Sequence, residues 1–141
     1  SILNLGIREK YGIAYTIESN FTMYTDTGHF NIYLGTDEEK LKKAVSLVFK
    51  ELNKLKQAPI SAYQLKQAKQ KFKGQIALAE ESRMSMIIAE AKNLIDYGKV
   101  IPLQDVFDKI DAVTTEDILD LSQTFFDESK LTSLSFVPEE E

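Results

Sequence analysis

Hydrophobic and polar residues alternate along two neighbouring segments in the first quarter of the chain. Between Ile13 and Tyr24, one side of the alternation carries mostly apolar side chains, namely Ile13, Tyr15, Ile17, Ser19, Phe21 and Met23. Phe30, Ile32 and Leu34 repeat the pattern after the turn-rich stretch Thr25–Gly28. A period of two is typical of half-buried strands, and a short polar connection joins antiparallel ones. The pattern therefore predicts a β-hairpin.

Apolar residues then recur at helical spacing in several segments. The first runs from Asp37 to about Gln57, has a lysine-rich outer face, and follows a predicted capping box of Thr36 with Glu39. A second capping box, Ser61 with Gln64, predicts a helix to about Glu81. Three further helices are predicted, one ending at Gly98, one beginning behind Pro102 and one capped by Thr114 with Asp117.

The last apolar stretch, Leu131–Val137, alternates again and is predicted to be a final strand. A hairpin followed by helices and one more strand indicates an α+β fold, in which the helices pack on one face of an antiparallel β-sheet. The 141 residues fit a single domain.

Charge and composition narrow the class of protein. With 17 basic and 22 acidic residues the net charge is -5, which argues against nucleic acid as a partner. Cysteine is absent, and no apolar run approaches the length of a membrane span. Because Ser1–Lys10 already has a helical pattern with no charged leader, we expect a soluble fragment of a longer chain. The compartment stays open, with the cytoplasm favoured over the periplasm.

Few side chains have the spacing that chemistry requires. His29 is the single histidine, and a zinc site needs about three protein ligands, so we expect no metal or cofactor in this chain and an exposed structural role for His29. Asp37, Glu38 and Glu39 lie in a predicted first helical turn, where negative charge favours the helix dipole. The lysine-rich face from Lys40 to Lys73 is interpreted as solvated, with contact to an anionic partner as the alternative.

Arg8 and Tyr15 flank the transition from the predicted first helix to the first strand. Gly12 can take the left-handed conformation that ends a helix, so the chain can fold back and bring the two side chains together. The alternative is an arginine that is favourable at a helix C-terminus and an ordinary strand tyrosine. The residues alone leave both interpretations open.

A family resemblance bears on that choice. The segment SILNLGIREKYGIAY resembles the S-R-L-x-x-x-L-R-E-K-x-G-L-A-Y segment of the pitrilysin, insulysin and mitochondrial processing peptidase family of zinc peptidases, peptidase M16. DTGHFNIYLGT, residues 26–36, is similar to the family's D-x-G-x-F-x-I-x-x-G-T hairpin. The likeness continues through the later helices in order and spacing, at Leu65, Ala68-Lys69, Glu81-Ser82 and residues 110–114.

The resemblance implies a LuxS/M16-like metalloenzyme fold and the second, non-zinc, C-terminal type of domain of one half of such an enzyme. The zinc motif H-x-x-E-H belongs to a different, homologous domain and is absent here. By resemblance, that zinc-bearing domain is the expected partner, in the same chain or in another subunit, and a peptide or small protein is the expected substrate. Arg8 and Tyr15 are then the expected catalytic residues, acting on the substrate carbonyl and transition state.

The resemblance also implies that this domain alone is inactive and that zinc is bound elsewhere in the complete metalloendopeptidase. The alternative is a catalytically inactive structural or peptide-binding subunit, because the family includes such members.

Overall fold

The computed structural model describes residues 2–137 of the chain. Its strands are β1 (Ala14–Met23) and β2 (Gly28–Thr36), and its α-helices are α1 (Glu38–Gln57), α2 (Ala62–Glu80), α3 (Arg83–Tyr97), α4 (Leu103–Ala112) and α5 (Thr115–Phe125). A 3-10 turn follows at Glu128–Lys130. The chain divides into two compact units, one of Pro59–Leu119 and one of the segments on either side, so that the division falls within α5.

Residues 2–11 form the predicted N-terminal helix, but its central part, Asn4–Glu9, is wound as a π-helix. The Lys10 N–H donates to the carbonyl of Leu5, five residues back. Gly12 has φ +59° and its N–H donates to the Arg8 carbonyl at 2.9 Å, as the predicted left-handed cap requires. Ser1 lies outside the described residues.

The two strands form the predicted antiparallel hairpin. Ile17 pairs with Leu34, and the register continues without a break to Met23 opposite Gly28. At its start β1 is irregular, because Ala14 pairs with Thr36 and Thr16 with Gly35, which leaves Tyr15 as the extra residue of a β-bulge. The prediction that Tyr15 shares the inward side with Ile17 is therefore wrong: Ala14 is buried and the Tyr15 side chain is 66% exposed.

The core of this unit lies between the N-terminal helix, the start of β1 and one face of α1. Gly6 provides a close approach, since a Cβ atom placed there would be 3.2 Å from Cδ of Glu51 on α1. Glu51 is a buried carboxylate, paired with Lys54 at 2.6 Å. Toward the turn, the side chains on the inner face of the hairpin are less buried. The ring of Phe30 lies 5.5 Å from that of Phe126, which directly follows α5. The buried apolar residues are Leu3, Ile7, Ile13, Ala14, Ile17, Ala44, Leu47, Val48 and Leu52.

The unit Pro59–Leu119 is built from helices α2, α3 and α4 and the first part of α5. No residue of this range is fully buried. Both predicted capping arrangements are confirmed: Ser61 and Gln64 bond reciprocally at the start of α2, and Thr114 and Asp117 do so at α5. Gly98 ends α3 with φ +69°, also as predicted.

The predicted capping box of Thr36 with Glu39 is wrong. Asp37 is the N-cap of α1, and Thr36 ends β2 with its hydroxyl donating to the Ile13 carbonyl at 2.6 Å. The Thr36 hydroxyl therefore bonds to an acceptor that is distant in sequence and does not cap the helix as the local pattern predicted.

The predicted final strand is also wrong for the described residues. Leu131–Val137 forms no strand, residues 132–137 make no hydrogen bond with any described residue, and Phe136 is 91% exposed. An alternating sequence becomes a strand only where a neighbour accepts its backbone hydrogen bonds, and none of residues 2–137 does so.

The Ser61 cap gives a direct stability prediction. Ser61→Ala removes the acceptor for the Gln64 N–H and is expected to lower the free energy of unfolding by about 1 kcal/mol. Urea denaturation measures this, and Ser133→Ala is the matched control because Ser133 is exposed and makes no hydrogen bond with a described residue. Equal stability of both variants would contradict a stabilising role of the cap.

Candidate functional site

Arg8 lies in the last turn of the π-helical segment, on the side away from the core. Its neighbour Ile7 is fully buried, whereas Arg8 is exposed. Within residues 2–137 the guanidinium makes no hydrogen bond or ion pair, although the Arg8 carbonyl accepts from Gly12. The side chain thus presents a permanent cation with five N–H donors to solvent.

Tyr15 follows Gly12 by three residues and projects from the bulge at the start of β1. Its hydroxyl donates to Oδ1 of Asp37. No hydrogen bond joins Arg8 to Tyr15, but the elements that carry them are adjacent, because β1 packs against the N-terminal helix. The structure thus brings Asp37 to Tyr15 and leaves Arg8 on the neighbouring element.

Asp37 has an unusual position for a helix N-cap. Its side chain accepts no hydrogen bond from a backbone N–H of the first turn of α1, although its carbonyl accepts from the Lys40 N–H at 3.0 Å. One carboxylate oxygen accepts from the Tyr15 hydroxyl and the other from Nζ of Lys40. We call Tyr15, Asp37 and Lys40 the surface triad.

The triad shifts the acidity of each member. Hydrogen bonding from Lys40, then from Tyr15, lowers the pKa of Asp37, and the bond to Asp37 raises the pKa of Lys40. The same bond to Asp37, followed by desolvation, raises the pKa of Tyr15 above its usual value. At neutral pH the carboxylate is therefore ionised, the ammonium is charged and the phenol keeps the proton that it donates.

The other sequence candidates do not assemble a metal site. His29 is exposed, as predicted, and its ring lies 6.1 Å from that of Tyr24. Among the residues that the structure describes, no group of three or more histidine, aspartate or glutamate side chains is arranged to hold a metal ion, so zinc does not fit the donors present. None of the helices in this part of the chain is long and apolar enough to cross a membrane.

Part of the lysine-rich face forms an open groove of about 300 Å³ between α2 and α4. Lys73 pairs with the Asp111 carboxylate at 2.7 Å, and Lys69 donates to the Asp111 carbonyl at 2.8 Å. Both lysines thus lie at the C-terminal end of α4, where cations are favourable. This helix-end role accounts for most of the groove's charge without a ligand.

Tyr15 could be singled out from the sequence, whereas the other two members of the triad were not. The sequence assigned Asp37 to the helix dipole, and it placed Lys40 on a lysine-rich face that was interpreted as solvated, with contact to an anionic partner as the alternative. The predicted hairpin already contained the relevant information, because its pairing places Ala14 opposite Thr36. Tyr15 follows the first of these residues and Asp37 follows the second. Predicting that Tyr15 meets Asp37 requires the exact strand register, and the bulge shifts that register by one residue.

Solved structures with the same fold support this architecture. The chain aligns to a chain of complex III2 from Candida albicans with TM-score 0.76 and 23% identity, covering 84% of this chain and 28% of that one. It aligns to the peptidase M16 inactive domain from Pseudomonas fluorescens with TM-score 0.72 and 22% identity, covering 90% and 30%. These neighbours show the fold alone, and they confirm the α+β architecture of the M16 type.

Curated relatives are proteases and processing peptidases by name. The chain is 30% identical to the uncharacterized zinc protease YmxG of Bacillus subtilis over 91% of its own length and 31% of the relative's. It is 25% identical to the mitochondrial-processing peptidase subunit beta of Saccharomyces cerevisiae over 84% of its length and 26% of that subunit's. The chain thus spans about a third or less of each relative.

The family model described as "Peptidase M16 inactive domain" matches residues 1–72, a range that contains Arg8 and the whole surface triad. That range is just over half of the chain and includes the hairpin and most of α2. The chain therefore belongs to the peptidase M16 inactive-domain family, as its opening segment and hairpin predicted.

Proposed function

We propose that this chain is the non-zinc domain of an M16-like zinc metalloendopeptidase, in which it closes a peptide chamber and provides Arg8 and Tyr15 to the substrate. One observation carries the proposal. The two residues lie exposed on adjacent elements joined through Gly12, and the Arg8 guanidinium has no partner among residues 2–137. An exposed cation and an exposed phenol so placed are suited to a ligand that comes from outside the domain.

The chemistry of peptide hydrolysis explains what these donors would do. Negative charge develops on the carbonyl oxygen of the scissile bond, and donors directed at that oxygen lower the barrier. Arg8 would supply charge and up to two parallel N–H bonds, and Tyr15 would supply one neutral O–H. The raised pKa of Tyr15 fits this role, because the hydroxyl keeps its proton at neutral pH.

Zinc would be supplied by a homologous domain in the same chain or in a partner subunit. When bound there, the metal supplies Lewis-acid activation of water and of the carbonyl. The residues of this chain would bind and orient the peptide and stabilise charge on its oxygen. Names such as mitochondrial-processing peptidase subunit alpha among the relatives support an assembly of this kind.

The alternative is a structural or peptide-binding subunit without hydrolytic activity. The family description "inactive domain" and the lack of a metal-binding group in the described part of the chain are compatible with it. The exposure of Arg8 and Tyr15 on adjacent elements favours the active assembly, because both side chains could there donate to one carbonyl oxygen.

The proposal predicts that activity requires more than this chain. The full-length protein is expected to contain zinc and to cleave an unstructured fluorogenic peptide in a chelator-sensitive way. The 141-residue chain by itself is expected to bind no stoichiometric zinc and to cleave nothing, since it offers one histidine and no cysteine.

Metal analysis and a cleavage assay on both proteins decide between the candidates. Zinc together with chelator-sensitive hydrolysis in the isolated chain would contradict the proposal that another domain binds the catalytic zinc. Peptide binding without cleavage by the full-length protein would instead favour the structural subunit.

A further inference from the structure

The hydroxyl of Tyr15 already has an acceptor within the domain. It has a single proton, and this proton is donated to Oδ1 of Asp37. Tyr15 therefore cannot donate to a peptide carbonyl and to Asp37 at the same time. Any ligand that recruits the hydroxyl must first displace it from an ionised carboxylate, which is a stronger acceptor than a neutral carbonyl.

The fold brings Tyr15 and Asp37 close together through contacts other than their own hydrogen bond. The Thr36 hydroxyl donates to the Ile13 carbonyl at 2.6 Å, which fixes the end of β2 against the start of β1. Tyr15 comes two residues after Ile13, and Asp37 directly follows Thr36. The bulge then turns the Tyr15 side chain outward, to where the Asp37 carboxylate accepts its hydroxyl.

Lys40 sets how strongly the carboxylate holds the phenol. Its ammonium donates to the second oxygen of Asp37, so it withdraws negative charge from the acceptor of the Tyr15 bond. Tyr15 and Lys40 thus donate to the same carboxylate, and removing either donor changes the strength of the hydrogen bond that the other makes.

We propose that Asp37 is an intramolecular competitor for the Tyr15 hydroxyl, so that a peptide carbonyl gains this donor only by displacing Asp37, and that Lys40 eases the exchange. This inference rests on the proposed function of Tyr15. In the free protein the hydroxyl is held by Asp37, so the apparent affinity for substrate is the intrinsic affinity multiplied by the fraction of molecules in which the hydroxyl is free.

Asp37→Asn is the sharpest test in the full-length protein. Asparagine is nearly isosteric and as good an N-cap as aspartate, so α1 should be kept while the charged acceptor is lost. The variant is expected to raise kcat/KM for the peptide by about two- to fivefold, the range of an exposed charged contact. Lys40→Met, which leaves Asp37 to Tyr15 alone, is expected to lower kcat/KM.

The effect must depend on Tyr15. In a Tyr15→Phe background, Asp37→Asn should leave kcat/KM unchanged, because there is no hydroxyl to release. Asp96→Asn is the matched control: it removes the same charge at an exposed carboxylate with no hydrogen-bond partner among the described residues. A gain in Asp37→Asn that persists without Tyr15, or that Asp96→Asn reproduces, would overturn the inference.

A second measurement separates this inference from the proposed function. NMR titration of the Tyr15 phenol, labelled at Cζ and assigned by its loss in Tyr15→Phe, should show a lower pKa in Asp37→Asn than in wild type, because the hydrogen bond to the carboxylate raises it. An unchanged pKa would show that Asp37 does not hold the hydroxyl and would overturn the inference alone. A Tyr15→Phe variant with wild-type turnover would remove the proposed function, and the competition with it, even if the pKa moves.

Discussion

Arg8→Ala is expected to lower kcat/KM for peptide cleavage by the full-length protein by about a hundredfold or more, and Tyr15→Phe by a smaller factor. Loss of one donor to a developing oxyanion typically costs about 3 kcal/mol of transition-state stabilisation. Arg8 is expected to be the more sensitive because it carries charge. Neither residue is a metal ligand in the proposal, so zinc content and fold should be kept.

The pattern of variants distinguishes a shared target from two separate roles. If both side chains act on one oxygen, the double variant should be less impaired than the product of the two single losses. Arg8→Lys should restore little, because a compact ammonium does not reproduce the guanidinium fork.

Arg83→Ala and Tyr33→Phe are matched controls, since both side chains are exposed and make no hydrogen bond with a described residue. Zinc is quantified in each sample. Near wild-type turnover in Arg8→Ala would contradict the catalytic role and leave Arg8 only its favourable position at a helix C-terminus.

Ile7→Ala is expected to lower the free energy of unfolding by about 2 to 5 kcal/mol, the usual range for truncating a large aliphatic core residue. Ile7 is fully buried, at 0% exposure, and joins the N-terminal helix to the core of the hairpin and α1. A cavity at this point would affect three elements at once.

Leu5→Ala is the matched control in the same helix, because its side chain is 67% exposed. We expect a change within about 0.5 kcal/mol for it. Urea denaturation of the 141-residue chain measures both variants. Similar losses for Ile7 and Leu5 would contradict the burial of Ile7, and not of Leu5, in the core.

Local patterns explain why much of the fold could be predicted. Ser61 with Gln64 and Thr114 with Asp117 satisfy each other within one turn, so sequence alone identified these helix starts. Gly98 ends α3 through its own backbone conformation, again a local property. The hairpin was predictable because its alternation continues through most of both strands.

The features that could not be predicted depend on residues far away in sequence. The Thr36 hydroxyl could either cap the helix locally or donate to the Ile13 carbonyl, and the Ile13 carbonyl comes within reach only in the folded hairpin. Leu131–Val137 has a strand-like pattern, but its backbone finds no neighbouring strand among residues 2–137. The π-helical winding around Arg8 has no counterpart in the apolar spacing, and we have no physical account of it.

The candidate site combines both kinds of feature. Arg8 and Tyr15 came from a linear segment and its family resemblance, which needs no register. Asp37 and Lys40 came only from the paired strands, since Asp37 is 22 residues from Tyr15 along the chain.

The bulge at Tyr15 has a consequence for how this domain can change over time. Because Tyr15 has no cross-strand partner and lies outside the core, replacing its side chain disturbs neither the register nor the buried contacts. The same holds for the exposed Arg8 beside the buried Ile7. Under the proposed function, a single substitution at Arg8 or Tyr15 would therefore abolish most of the activity while the folded scaffold is retained.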